Sequence, residues 1–241
     1  MHVSRLDLER YNDGGVFFPP PFDWPGECFY HGTSSARCEV LQREGLRPAS
    51  SGITLSDCND VLAAFEGVNW RGHALGGAPS LRSFSVSNDL AHPRGDPLFL
   101  SGMPHTASFY AIADRAGGEK VSAIRKALAD LHRLLDDSVF RSQQAANAEQ
   151  LLDDTKGALF MEAGALTSLH ARLGSLASLR SMCRHALESF RHGVVYAVRL
   201  SPEFLRDHCE LAGIAIKVFA PIPPSELVAK LYLPRAFKPR V

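Results

Sequence analysis

The residues best placed to do chemistry form one segment, Phe29-Tyr30-His31-Gly32-Thr33-Ser34. Gly32 has no Cβ, so a ligand can come close to its backbone and use its N–H and C=O for an amide-bearing ring. His31 and Thr33 can hydrogen-bond ribose or phosphate hydroxyls. The plainer alternative is a strand-end histidine followed by a glycine that turns the chain. Two other chemistries have less behind them. Cys28 near His31 and Cys183 near His185 supply a thiol and a base, but such pairs are normally assembled from distant segments, so sequence neighbours argue little. His73, His92 and His105 lack the spacing of metal ligands, and no metal is expected.

The flanking pattern gives the elements that must position His31. Glu27 to His31 reads as a short strand. Ser34 to Gly45 reads as a helix: Ser34 or Ser35 can cap it, Cys38, Val40 and Leu41 mark one face, and Gly45 stands where a left-handed C-terminal residue belongs. Ahead of them residues 10–27 are rich in Pro, Gly and aromatics, which excludes a helix and gives an extended arm. Residues 1–26 are taken as that arm and 27–241 as one domain. Residues 49–96 join strand and helix signals at Ile53–Leu55 and Asp60–Glu66 to a Gly/Pro/Ser-rich loop with a candidate strand at Leu81–Val86.

Leu98–Ser101 reads as a strand and Thr106–Arg115 as a helix. From Glu119 to Arg191 leucines recur at helical spacing, which predicts about three helices whose stripe is core packing or, alternatively, a partner surface. Beyond Gly193 the pattern predicts a strand at Val194–Leu200, a helix at Pro202–Asp207, a strand at Ile214–Phe219, a rigid turn at Pro221-Ile222-Pro223-Pro224 and an apolar run at Glu226–Leu233.

Composition bounds the function. Apolar residues at 45% and charged residues at 22% imply a packed core, and 26 basic against 26 acidic residues leave no basic footprint for nucleic acid beyond a local patch. Met1–Asp7 lacks the organisation of a secretory signal, and no run reaches the roughly 18 apolar residues of a membrane helix. A soluble chain is expected, cytoplasmic or secreted as an effector without a cleaved signal, with no membrane partner. Five cysteines with no CxxC pair read as reduced thiols.

Taken together, Tyr30-His31-Gly32-Thr33, the helix ending Gly45-Leu46-Arg47-Pro48, the Val-rich strand and the Ile222-Pro223-Pro224 turn resemble the ADP-ribosyltransferase superfamily, on the side of the poly(ADP-ribose) polymerases and diphtheria-type toxins. The resemblance covers about residues 27–115 and 193–233, with the helical middle, about 119–191, as an insertion. It implies an α+β fold, a split β-sandwich, with NAD as substrate. In that family the His-Gly pair grips the ribose and the nicotinamide carboxamide, which here means His31 and Gly32, with Thr33 beside them. A second family motif is an aromatic on a strand followed eleven residues later by one on a helix, and the two rings sandwich nicotinamide. Phe99 and Tyr110 meet that spacing, with Ser101 on the same strand; Thr54 and Phe65 meet it too, but with one ring only.

The family's third motif is a Glu six or seven residues before the Ile of the Ile-Pro-Pro turn, where this chain has Ile216 and Ala215. Glu210, twelve residues before Ile222, serves only if the strand starts earlier or bulges. The resemblance therefore implies transfer of a single ADP-ribose to a protein or nucleic-acid acceptor, with His31, Tyr110 and Glu210 as the catalytic candidates. The alternatives are an inactive member of the fold acting as a binding module through its helical insertion, and an NAD-dependent RNA 2'-phosphotransferase, which needs a set of arginines that the sequence does not identify.

Overall fold

Gly193–Val198 is buried at all six positions. A strand meets that condition only with neighbours on both edges and cover on both faces, so this run must lie inside a sheet. The structure, a computed structural model, places it between β-strands on both sides. It describes residues 1–7, 17–19, 22, 28–48, 55–65, 94, 97–112, 119–138, 142, 171, 173–213, 215–235 and 237. In chain order the elements are β1 (His2–Arg5), β2 (Phe29–Ser34), α1 (Cys38–Glu44), α2 (Leu55–Phe65), β3 (Leu98–Ser101), α3 (Pro104–Ala111), α4 (Glu119–Asp136), α5 (Ala177–Glu188), β4 (Gly193–Val198), α6 (Pro202–His208), β5 (Cys209–Ala212), β6 (Ala215–Val218) and β7 (Leu227–Tyr232).

The chain divides into two compact units. The first comprises Met1–Thr54, Ala91–Ser122 and Ala186–Val241. It holds a seven-stranded mixed sheet in the order β1-β7-β4-β2-β3-β6-β5, so the class is α+β. β1 runs parallel to β7 and the other pairings are antiparallel. β2 is laddered to β4 from Phe29↔Val198 to Ser34↔Gly193, yet it meets β3 at one pair, Tyr30↔Ser101.

Side chains alternate along a strand, so register assigns them to faces. One face carries Leu98, Leu100, Val194, Tyr196, Val198, Ile216 and Val218 under Cys38 and Leu41 of α1. The other carries Tyr30, Val195, Ala197, Ala229 and Leu231 under Ala107 and Ala111 of α3, together with Phe17 and Phe18 of the N-terminal arm. The arm is thus part of the core: Phe18 stacks on Tyr30 at 5.8 Å, and the Tyr30 hydroxyl donates to the Phe22 carbonyl at 2.6 Å.

Two strands appear where no strand is read from the sequence. β1 is mostly exposed and carries no apolar alternation, and β5 is an edge strand whose Leu211 is 88% exposed, so neither has the half-buried pattern that marks a strand. The turn after β2 follows its sequence signals. The Ser34 Oγ accepts from the Ala36 N–H at 3.3 Å and caps a short 3-10 turn before α1. Gly45 ends α1 at φ 76°, and a Cβ there would meet the Ile222 carbonyl.

The second unit, Leu55–Leu90 with Ala123–His185, contains α2 and most of α4 and α5. Leu128, Leu131, Leu134, Leu173, Leu176 and Leu179 are buried, so these members of the leucine stripe serve packing. The stripe's Leu151, Leu152, Leu159, Leu166 and Leu169, and the candidate strand Leu81–Val86, lie outside the described residues. Among the described residues no helix is long and apolar enough to cross a membrane, and all five cysteines are free thiols.

Candidate functional site

The single pairing between β2 and β3 defines the candidate site. Past Tyr30 the two strands part, and the gap is spanned by a side chain: the His31 Nδ1 lies 3.2 Å from the Phe99 carbonyl oxygen. A carbonyl can only accept, so Nδ1 carries the proton and Nε2 is left as an acceptor for a ligand hydroxyl. Burial of the ring lowers the His31 pKa to about 4; the Phe99 carbonyl opposes this and the Arg37 charge adds to it. His31 is therefore neutral at pH 7, as a group that accepts a hydrogen bond from a sugar hydroxyl must be.

Register places the neighbours. His31 lies opposite Tyr196 and Thr33 opposite Val194, so both belong to the α1 face, where Thr33 is buried. Gly32 belongs to the α3 face. Its missing Cβ admits the backbone of α3: a Cβ there would collide with the Ala107 carbonyl and lie 3.0 Å from the Ala111 nitrogen. The close approach that the sequence reading reserves for a ligand is thus made, on that face, by a helix.

Phe99 and Ser101 share the α3 face, because Ser101 pairs with Tyr30 and Phe99 lies two residues away along β3. Ser101 is buried, and its Oγ accepts from the Met103 N–H at 3.0 Å, which shapes the turn into α3. Tyr110 is half-buried on α3 beside the sheet-facing Ala107, Ser108 and Ala111. The structure thus brings Phe99 and Tyr110 to one side of the sheet and sets the His31 ring on the other, where it meets only the backbone carbonyl of Phe99. Of the competing pair, Phe65 is buried in α2 of the second unit and Thr54 lies outside the described residues.

Glu210 stands apart from His31. β5 pairs with β6 without a bulge, Glu210 opposite Lys217 and Leu211 opposite Ile216, while β6 pairs Lys217 with Phe99 and Ile216 with Leu100. Glu210 therefore faces the Phe99 side, 3.8 Å from the Arg94 guanidinium, and Ile216 is the β6 residue on the face of His31. Among the described residues, no group of His, Cys, Asp or Glu is gathered that could hold a metal ion. A cavity of about 400 Å³ elsewhere in the unit is lined by Phe190, Arg191, Leu233, Arg235 and Phe237 and includes none of the candidate residues.

The sequence reading missed Lys230. It lies opposite Tyr196 on the α1 face and is only 4% exposed, with its Nζ 5.0 Å from the centre of the Tyr232 ring. A lysine within the alternating Leu227–Tyr232 run was the available signal, since its position in the alternation assigns it to a covered face. Comparisons with protein-family models, with curated proteins and with solved structures find no match.

Proposed function

We propose that this chain binds NAD at the parting of β2 and β3 and transfers a single ADP-ribose to a macromolecular acceptor, releasing nicotinamide. The observation that carries the reading is the neutral His31 bridging that parting, with its Nε2 left to accept from a ribose hydroxyl. Support comes also from the sheet order, which sets the His-Gly strand β2, the aromatic strand β3 and the Ile216 strand β6 side by side. Phe99 and Tyr110 lie on the α3 face and the His31 ring on the α1 face, so NAD would reach through the parting, its nicotinamide against the two rings and its ribose against His31.

The chemistry asks for little beyond positioning. The glycosidic C–N bond breaks, nicotinamide leaves with the electron pair, and an acceptor oxygen forms the new bond at the anomeric carbon as positive charge on the ribose is quenched. With Ile216 on the His31 face, that charge needs another partner, and an acceptor carboxylate supplies it without a proton to remove.

Ile216 also favours a second reading, an NAD-binding module that does not turn over. Incubation of the full chain with labelled NAD and lysate, alongside a thermal-shift titration with NAD, separates the two. Label on acceptor that His31→Ala abolishes supports transfer; a thermal shift without label supports the binding module; neither label nor shift overturns both.

A further inference from the structure

The cavity of about 400 Å³ lies at the end of the sheet where β4 begins and β7 ends. Its floor is apolar and fixed. The Leu233 N–H donates to the Gly193 carbonyl at 2.9 Å and Leu233 is 2% exposed, while Phe237 packs edge-on against Phe17 with ring centres 6.0 Å apart. Its rim is basic. Arg191, His192 and Arg235 line the cavity and are exposed, and none of the described residues lining it is acidic, so neither guanidinium is neutralised within it.

Backbone bonds hold these residues in place. The His192 N–H donates to the Ser35 Oγ at 3.1 Å, and its carbonyl accepts from the Ser35 N–H at 2.9 Å. Beside it the Arg191 Nη1 donates to the Glu188 and Phe190 carbonyls at 2.7 and 3.1 Å, which folds the side chain over the end of α5 and leaves Nε and Nη2 as donors for a ligand. Across the cavity the Phe237 N–H donates to the Pro234 carbonyl at 3.0 Å and closes a turn with Arg235 at its corner. Two permanent positive charges over an apolar floor call for a ligand with a doubly charged head and an apolar body. The volume suits a small molecule, since ligand sites run from roughly 300 to 1,000 Å³.

We propose that this cavity binds a small organic phosphate monoester, its dianionic head at the rim with Arg191 and Arg235 and its ring-sized apolar body on the Leu233 and Phe237 floor. Guanidinium groups match a phosphate's oxygens in pairs, and the monoester supplies the two negative charges that a carboxylate lacks. The inference does not rest on the NAD reading, because the cavity holds none of the residues assigned to NAD.

The test is calorimetric titration of the full chain at pH 7.5, where phenyl phosphate is a dianion, against inorganic phosphate, phenol and benzoate at one ionic strength. Phenyl phosphate should bind saturably, at one site, and at least about tenfold more tightly than each of the other three. Arg235→Gln should weaken it at least about tenfold and Arg235→Lys should restore part of the loss, as removal of a charge-assisted contact requires. Arg43→Gln, which removes an equally exposed charge on α1, should leave binding unchanged. Phe190→Ala should weaken phenyl phosphate but not inorganic phosphate, since only the ester has a body to lose contact. The proposal is overturned if phenyl phosphate does not saturate, if inorganic phosphate, phenol or benzoate binds as tightly, or if Arg235→Gln binds as wild type does.

Discussion

His31 makes the protein lose stability in acid in a way that can be calculated. Its folded-state pKa is about 4 against 6.5 for an unperturbed histidine, so between those values the unfolded chain binds a proton that the native ring does not. The sign follows: this contribution to stability is complete above pH 6.5 and is lost as pH falls toward 4. Linkage gives a loss of about 2 kcal/mol at pH 5 and about 3 kcal/mol at pH 4, reduced to roughly half because water reaches the partly exposed side chain. Asparagine at this position keeps an N–H for the Phe99 carbonyl and does not titrate. Urea unfolding of wild type and His31→Asn at pH 7.5, 6, 5 and 4.5 isolates the effect, since every other titrating group is common to both. The wild-type advantage should shrink steadily by 1–2 kcal/mol over that range. A difference that stays flat with pH would mean that the ring titrates alike in both states, and the desolvated His31 on which the functional reading depends would be refuted.

Three further outcomes follow from the same geometry. Gly32→Ala forces a Cβ onto the Ala107 carbonyl, so α3 must move and urea unfolding should show a loss of about 1–3 kcal/mol. Glu210→Gln should leave any NAD-dependent labelling within about twofold of wild type, because the carboxylate lies across the sheet from the His31 ring that would hold the ribose, on edge strand β5 beside Arg94; a hundredfold loss would return Glu210 to the catalytic group. Tyr196→Phe removes a fully buried hydroxyl whose one polar neighbour is the Cys38 thiol, and should change stability by less than about 1 kcal/mol in calorimetry; a larger loss would show that the thiol contact is a full hydrogen bond.

Local signals were legible where a single stretch of chain decides the structure. Val194–Val198 declares a strand by its β-branched and aromatic content; Ser34 and Gly45 announce the cap and the stop around α1; and Pro202 marks the start of α6, where the structure adds a cap, the Ser201 Oγ accepting from the Phe204 N–H at 3.1 Å. The His31-Gly32-Thr33 segment was found in the same way, because its residue types and the turn after it are properties of neighbours in sequence.

Tertiary structure alone decided how these pieces meet. Leu46 and Ile222, which the sequence offers as two separate turn signals, form a bridge with N···O distances of 2.8 and 3.0 Å, and the bare Gly45 makes room for it. The placement of β6 beside β3 sets Ile216, and not Glu210, on the face of His31, because pairing parity assigns every second residue to one side and a strand's partner is not written in the strand. Lys230 shows the same limit. The apolar run around it was a hint in the sequence, but only the pairing of β7 with β4, which sets Lys230 opposite Tyr196, shows the side chain to be 4% exposed. The sequence by itself determined which residues could do chemistry; the sheet order and its two covered faces determined which of them share a site.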